Sequence, residues 1–178
     1  MAPVPYLGYF PALVAQSAIE ESINIFRDGE MQKISVGPPT KTEPLEARAN
    51  CETTNPVDLA QFGPTKNVPL GDLALARSGD KGANINIGIF VHTPEEWDWL
   101  RTFLTAKKMQ ELMGSDWNDS FFIERVEFVN IKAVHFVIYG PLGRGVSSSR
   151  LLDCLGKGFA DFIRSVYVPI PEKFLKSS

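Results

Sequence analysis

Ile85, Ile87, Ile89 and Val91 recur at every second position between Asn84 and His92, and only an extended strand gathers such a series on one face. A helix would scatter them around its axis. Thr93-Pro-Glu-Glu96 follows at once: a threonine to cap, proline at the first helical position and glutamate at the third, which together start a helix. That helix is expected to run to about Met113, with a break near Thr105. The same order then returns. Phe121 to Val129 and Lys132 to Tyr139 read as two strands joined by a tight turn at Asn130, with Val134, Phe136 and Ile138 sharing a face. After the interruption at Gly140-Pro-Leu-Gly-Arg-Gly145, a long amphipathic helix is expected from Ser147 to about Tyr167, with Leu152, Leu155, Phe159, Phe162, Ile163 and Val166 inward. A short strand over Leu70 to Ala76 and a glycine-bearing loop from Arg77 to Ala83 complete the first half. The order ββαββα predicts an α+β fold, one antiparallel sheet with two helices on one face.

Residues 1–69 read as an N-terminal extension and 70–178 as the main domain. Within the extension, Ile23 and Ile25 alternate before Asp28-Gly29, and Ile34 and Val36 alternate after it. Asp-Gly favours the tight turn of a hairpin, here at about 22–36. From about 37 to 69, Pro38, Pro39, Pro44, Pro56, Pro64 and Pro69 forbid a regular element of any length, so this part is expected to be a linker or a strap. The N-terminal Met-Ala-Pro-Val-Pro-Tyr-Leu lacks a basic leader region. No run approaches the roughly 20 apolar residues of a membrane span. With 44% hydrophobic and 22% charged residues, the chain has the balance of a folded globular protein. A formal charge of -3 with dispersed lysines and arginines argues against nucleic acid and anionic membrane as partners. The two cysteines, Cys51 and Cys154, stand in unrelated contexts. They are expected to be free thiols in a reducing cytoplasm, and no spacing suggests zinc or a redox pair. Neither a metal nor a cofactor is expected.

Chemistry concentrates in Arg77-Ser-Gly-Asp-Lys-Gly82, where two cations, an anion, a hydroxyl and two glycines fall together. Glycines allow backbone amides to turn toward an anion, and an arginine fork grips a carboxylate or phosphate. The spacing is not that of a nucleotide-binding P-loop, and a charged hairpin turn is the plain alternative. Asn84 and Asn86 share the face opposite the isoleucines at the strand end nearest this segment. Ser147 or Ser148 would cap the last helix, whose first free amides attract anions. His135 lies mid-strand, where a partly buried imidazole can move a proton near neutrality, although such a residue is more often a hydrogen-bonded core side chain. In an enzymatic reading Arg77 and Lys81 hold an anionic or enolate oxygen. Ser78, Asn84, Asn86, Ser147 and Ser148 help bind the substrate, and Asp80, Lys81 and His135 carry the catalysis.

The run from Leu70 to Gly88, containing Ala76-Arg-Ser-Gly-Asp-Lys-Gly-Ala-Asn-Ile-Asn86, resembles the opening of the C-terminal ferredoxin-like domain of AtuA-like (acyclic terpene utilisation) proteins. Similarity to the long fungal members extends through Glu96-Trp-Asp-Trp-Leu100, Ala133-Val-His-Phe136, Gly143-Arg-Gly-Val-Ser-Ser-Ser149 and Ile170-Pro-Glu-Lys-Phe-Leu175, and reaches back to Cys51-Glu-Thr-Thr-Asn-Pro56 and Tyr9-Phe-Pro-Ala-Leu13. The resemblance implies a ferredoxin-like fold and a role for Arg77, Ser78, Asp80, Lys81, Asn84 and Asn86. It also implies that the large N-terminal domain of those proteins lies outside this chain. Two functions are expected on this basis. One is a cofactor-free enzyme for a hydration, dehydration, isomerisation or cyclisation of an acidic or carbonyl-bearing terpenoid- or polyketide-type molecule in fungal secondary metabolism. The other is a non-catalytic module that serves a larger AtuA-like subunit or forms a homodimer through its open sheet face.

Overall fold

The computed structural model describes residues 12–44, 46 and 51–175, in two compact units, the first ending at Ala47 and the second beginning at Arg48. Residues 1–11, including Tyr9 to Pro11 and most of the segment read for a leader, lie outside the described residues.

The first unit holds the expected hairpin. Strands β1 (Glu21–Arg27) and β2 (Glu30–Val36) pair antiparallel with Ile23 opposite Ile34. Asp28 at φ 52° and Gly29 at φ 84° form the connecting turn, the two positive values that a type I′ hairpin requires.

In the second unit β3 (Thr65–Pro69) precedes β4 (Leu75–Lys81) and β5 (Asn84–Phe90). Helices α1 (Pro94–Phe103) and α2 (Ala106–Met113) follow, then β6 (Phe122–Phe128) and β7 (Ala133–Tyr139). Helix α3 (Phe159–Ser165) and β8 (Tyr167–Pro171) close the chain. The main sheet is antiparallel in the order β4-β5-β7-β6. Ile85, Ile87, Ile89, Val134, Phe136, Ile138 and Ile123 form its buried face against α1, α2 and α3. Each such side chain stabilises the fold by about 1.5–3 kcal/mol relative to an exposed one. The α+β fold with an antiparallel sheet and helices is therefore as expected.

Local chemistry explains the helix starts. Thr93 Oγ1 accepts from Glu96 N at 3.2 Å while Glu96 Oε2 accepts from Thr93 N at 2.8 Å, a complete capping box. The break near Thr105 is real: Thr105 Oγ1 accepts from Lys108 N at 3.0 Å and begins α2 afresh.

Three expectations change. Leu70 to Ala76 is not a strand, because Leu70–Asp72 forms a 3-10 turn in which the Leu70 carbonyl accepts from both Leu73 and Ala74 amides. Strand β4 begins at Leu75 and runs through Lys81, so most of the expected loop is extended; the turn shrinks to Gly82-Ala83, with Gly82 at φ 67°. Charged residues suit β4 because it is an edge strand. The long last helix is also shorter. Residues 147–158 form turns, bends and irregular backbone, and helix begins only at Phe159. Gly156, Gly158 and three consecutive serines oppose helix there, and Gly156 sits at φ 59°. Leu152 is consequently fully exposed.

The proline-rich segment is a strap held by two buried arginines that sequence reasoning passed over. Arg101 donates to Thr53 Oγ1 and to the Asn55 carbonyl and side chain at 2.8–2.9 Å. Arg125 donates to the carbonyls of Leu104, Cys51 and Arg101 at 2.9, 2.7 and 2.7 Å. The strap ends in β3, which pairs with β8 in a separate two-stranded sheet.

Candidate functional site

The alternation of β4 decides which of its charged residues can meet. Arg77 pairs with Gly88, Gly79 with Asn86, and Lys81 with Asn84. Next along these rows, Gly88 pairs with His135 and Asn86 with Val137. Arg77, Gly79, Lys81, Asn84, Asn86, Gly88 and His135 therefore share the sheet face opposite the buried isoleucines. Ser78 and Asp80 fall on the other face, in register with Ile87 and Ile85.

Ser78 has structural partners there: its Oγ accepts from Ala160 N at 2.8 Å and donates to the Lys157 carbonyl at 3.2 Å. It thus caps α3 from a distant strand. The Asp80 carbonyl accepts from Lys81 Nζ at 2.8 Å. Asn84 Oδ1 accepts from Gly140 N at 3.1 Å, tying the start of β5 to the end of β7. Ser147 and Ser148 are exposed in the turns after β7, and Ser148 lines a different depression with Arg144 and Arg150. The helix amide that does reach β4 is that of Ala160, at the start of α3.

A further polar group, Lys157, reaches the site from a distant segment. A Cβ placed on Gly79 would lie 3.7 Å from Asn86 Oδ1 and 3.8 Å from Lys157 Nζ, and one on Gly88 would lie 3.8 Å from His135 Cδ2. Lys157 thus passes from the helix side around the edge strand and over Gly79. An open depression of about 270 Å³ results, lined by Arg77, Ser78, Gly79, Asp80, Lys81, Asn86 and Lys157. Gly79 lies within it and Gly88, with His135, beside it; glycine within a strand commonly marks a close approach by a ligand or another backbone. Gly79 and Gly88 were visible in the sequence, nine residues apart around a two-residue turn. Lys157 was not, because it comes from a segment read as helix.

Asn86 Nδ2 donates to His135 Nε2 at 3.3 Å, and the ring packs edge-on against Phe128 with centroids 5.9 Å apart. Burial, and secondarily the positive charge of Lys81, lowers the His135 pKa below its ordinary 6.5. The imidazole is consequently neutral at pH 7. Among the described residues no carboxylate comes within ion-pairing distance of Arg77, Lys81 or Lys157. The arrangement can attract an anion, orient a polar group through Asn86 and exchange a proton at His135. Among the described residues no three His, Cys, Asp or Glu side chains gather as a metal site, and no helix is long and apolar enough to cross a membrane.

Fold and site define a class: a small antiparallel α+β domain with a polar depression at the edge of its open sheet face, lined by three cations, Asp80, Asn86 and Gly79. A family model for the AtuA ferredoxin-like domain matches residues 68–169, more than half of the chain, and the chain belongs to that family. No curated protein and no solved structure matches it.

Proposed function

We propose that the open sheet face binds a small carboxylate that also carries a carbonyl group, and that it moves a proton adjacent to that carbonyl without metal or redox cofactor. One observation supports this above the others: a neutral, half-buried His135, its ring against Gly88, is bonded to Asn86, which lines the adjoining depression with Gly79, Asp80 and the cations Arg77, Lys81 and Lys157. Arg77 grips the carboxylate in its planar fork, while Lys81 and Lys157 add positive charge. His135 Nε2, held only by the long bond from Asn86, accepts the proton. The C–H electron pair becomes the enolate double bond, and the carbonyl oxygen takes the negative charge beside the cations. Return of the proton to another carbon isomerises the molecule. Departure of a β-hydroxyl with that proton as water dehydrates it. In this reading the natural ligand is an acidic terpenoid- or polyketide-type molecule of fungal secondary metabolism, handled in the cytoplasm.

Levulinate, a stable keto acid, tests the chemistry. In D2O the protein should accelerate deuterium uptake next to the ketone, seen by proton NMR, and His135→Gln should remove the acceleration. Exchange at the uncatalysed rate, or undiminished exchange by the variant, would refute the reading.

One observation favours a second reading, a binding module. Phe122, Val126 and Phe128 on β6 are 52, 37 and 47% exposed on the same open face, an apolar half suited to a second copy or a larger AtuA-like subunit. Sedimentation of the wild type and of Phe128→Asp separates the two, since only a dimerising face gives a charge-sensitive change in mass.

A further inference from the structure

On the helix side of the sheet, away from the cationic face, lies a cavity of about 520 Å³. Ile85, Met113, Phe121, Leu142, Phe159 and Phe162 form its walls. Its size and lining are those of a small-molecule pocket. Two features argue that it is kept open. Leu151 and Leu152 stand at its mouth yet are 51% and 105% exposed, so apolar side chains able to cover it face water. The segment bearing them is anchored on its C-terminal side. Asp153 takes the Lys157 and Gly158 amides on its two oxygens at 3.0 and 2.9 Å, and Gly156 is buried so close to Ile85 that a Cβ would come within 3.0 Å of its side chain. The base is fixed, and the two leucines project from it.

The charges narrow the ligand. The ionisable side chains lining the cavity itself are Asp116 and Asp153, both acidic; Arg144 and Arg150 line the adjoining depression, and Arg77, Lys81 and Lys157, with Asp80, the one on the open face. An anionic headgroup would meet repulsion here. We infer that this cavity is a second binding site, for an uncharged lipophilic small molecule, over which Leu151 and Leu152 close. It is independent of the proposed chemistry on the open face.

N-phenyl-1-naphthylamine, a neutral dye that fluoresces in apolar surroundings, tests this with the full chain. Saturable binding of one dye per chain is expected, with displacement by decan-1-ol at least about tenfold more effective than by decanoate. Leu152→Asp alters a fully exposed residue and so leaves folding intact. It should weaken dye binding about tenfold or more, because a buried leucine contact is replaced by a charge. Arg77→Ala should leave dye binding unchanged, which separates this site from the open face. The inference is overturned by non-saturable binding, by decanoate matching decan-1-ol, or by unaltered affinity in Leu152→Asp. It is equally overturned if the wild type self-associates through this surface and the dye fails to bind.

Discussion

Gly88→Ala should make the protein more stable and less able to bind. Gly88 lies in the middle of β5, between Arg77 on one neighbouring strand and His135 on the other. Its φ is outside the left-handed region, and an added Cβ would meet only His135 Cδ2, at the ordinary contact distance of 3.8 Å. Nothing in the folded state resists a methyl group, so relief of glycine's backbone entropy should raise stability by about 0.5–1 kcal/mol. For a domain of this size that is a rise in melting temperature of roughly 2–5 °C. The same methyl stands between Arg77 and His135, beside the depression in which the ligand is proposed to rest. Lifting the ligand away from His135 and Arg77 forfeits at least one charge-assisted hydrogen bond of about 1.5–3 kcal/mol, or roughly 10- to 100-fold in affinity. Thermal melting by circular dichroism and a levulinate titration followed by NMR measure the two effects on one sample. A variant that is less stable, or one that binds levulinate as the wild type does, refutes the idea that this glycine exists for a ligand.

Because burial and Lys81 hold the His135 pKa below 6.5, its contribution to stability is complete above about pH 6.5 and is lost as pH falls from there toward the folded-state pKa. His135→Gln should flatten that decline in urea melts, and Lys81→Gln should raise the His135 pKa in an NMR titration; a lower or unmoved value contradicts the assignment. Arg125 is 1% exposed, lies 2.9 Å from Glu127 Oε1 as an ion pair, and spends its donors on three carbonyls. Arg125→Met leaves the Glu127 carboxylate without this ion pair and the Leu104, Cys51 and Arg101 carbonyls without this donor. It should cost about 3–5 kcal/mol by urea denaturation, and a loss under about 1 kcal/mol would show that the strap is not held there.

Strands with strict alternation were legible: Ile85, Ile87 and Ile89, and Val134, Phe136 and Ile138, are buried as their period requires. Thr93 and Glu96 marked the start of α1 because capping is a local interaction. The first strand was misplaced because Leu70, Leu73 and Ala74 are as apolar as a strand, yet the buried 3-10 turn uses them. Apolar spacing alone carries a helix from Ser147, and Gly156, Gly158 and the three serines outweigh it. The pairing of β3 with β8 joins segments about a hundred residues apart and leaves no local trace. For the site, the two-residue period already separated Asn84 and Asn86 from the isoleucines. Applied to Arg77 through Lys81 it also divides Ser78 and Asp80 from Arg77 and Lys81, but glycines and clustered charges give that segment the look of a loop, where alternation has no meaning. Lys157 reaches Gly79 only through the tertiary path around the edge strand, which no spacing in the sequence encodes.

If Arg77 anchors a carboxylate on the open sheet face, amide NMR of the wild type and Arg77→Ala during a levulinate titration will show it. Shifts are expected to concentrate at Arg77–Lys81, Asn84–Gly88 and His135. Arg77→Ala should weaken affinity about tenfold or more, since a bidentate charge-assisted contact is lost, while stability stays within about 0.5 kcal/mol, as expected of an exposed side chain. Lys81→Ala should weaken binding less, because an ammonium lacks the planar fork. Shifts scattered elsewhere, an unchanged affinity in Arg77→Ala, or unfolding of that variant would contradict it.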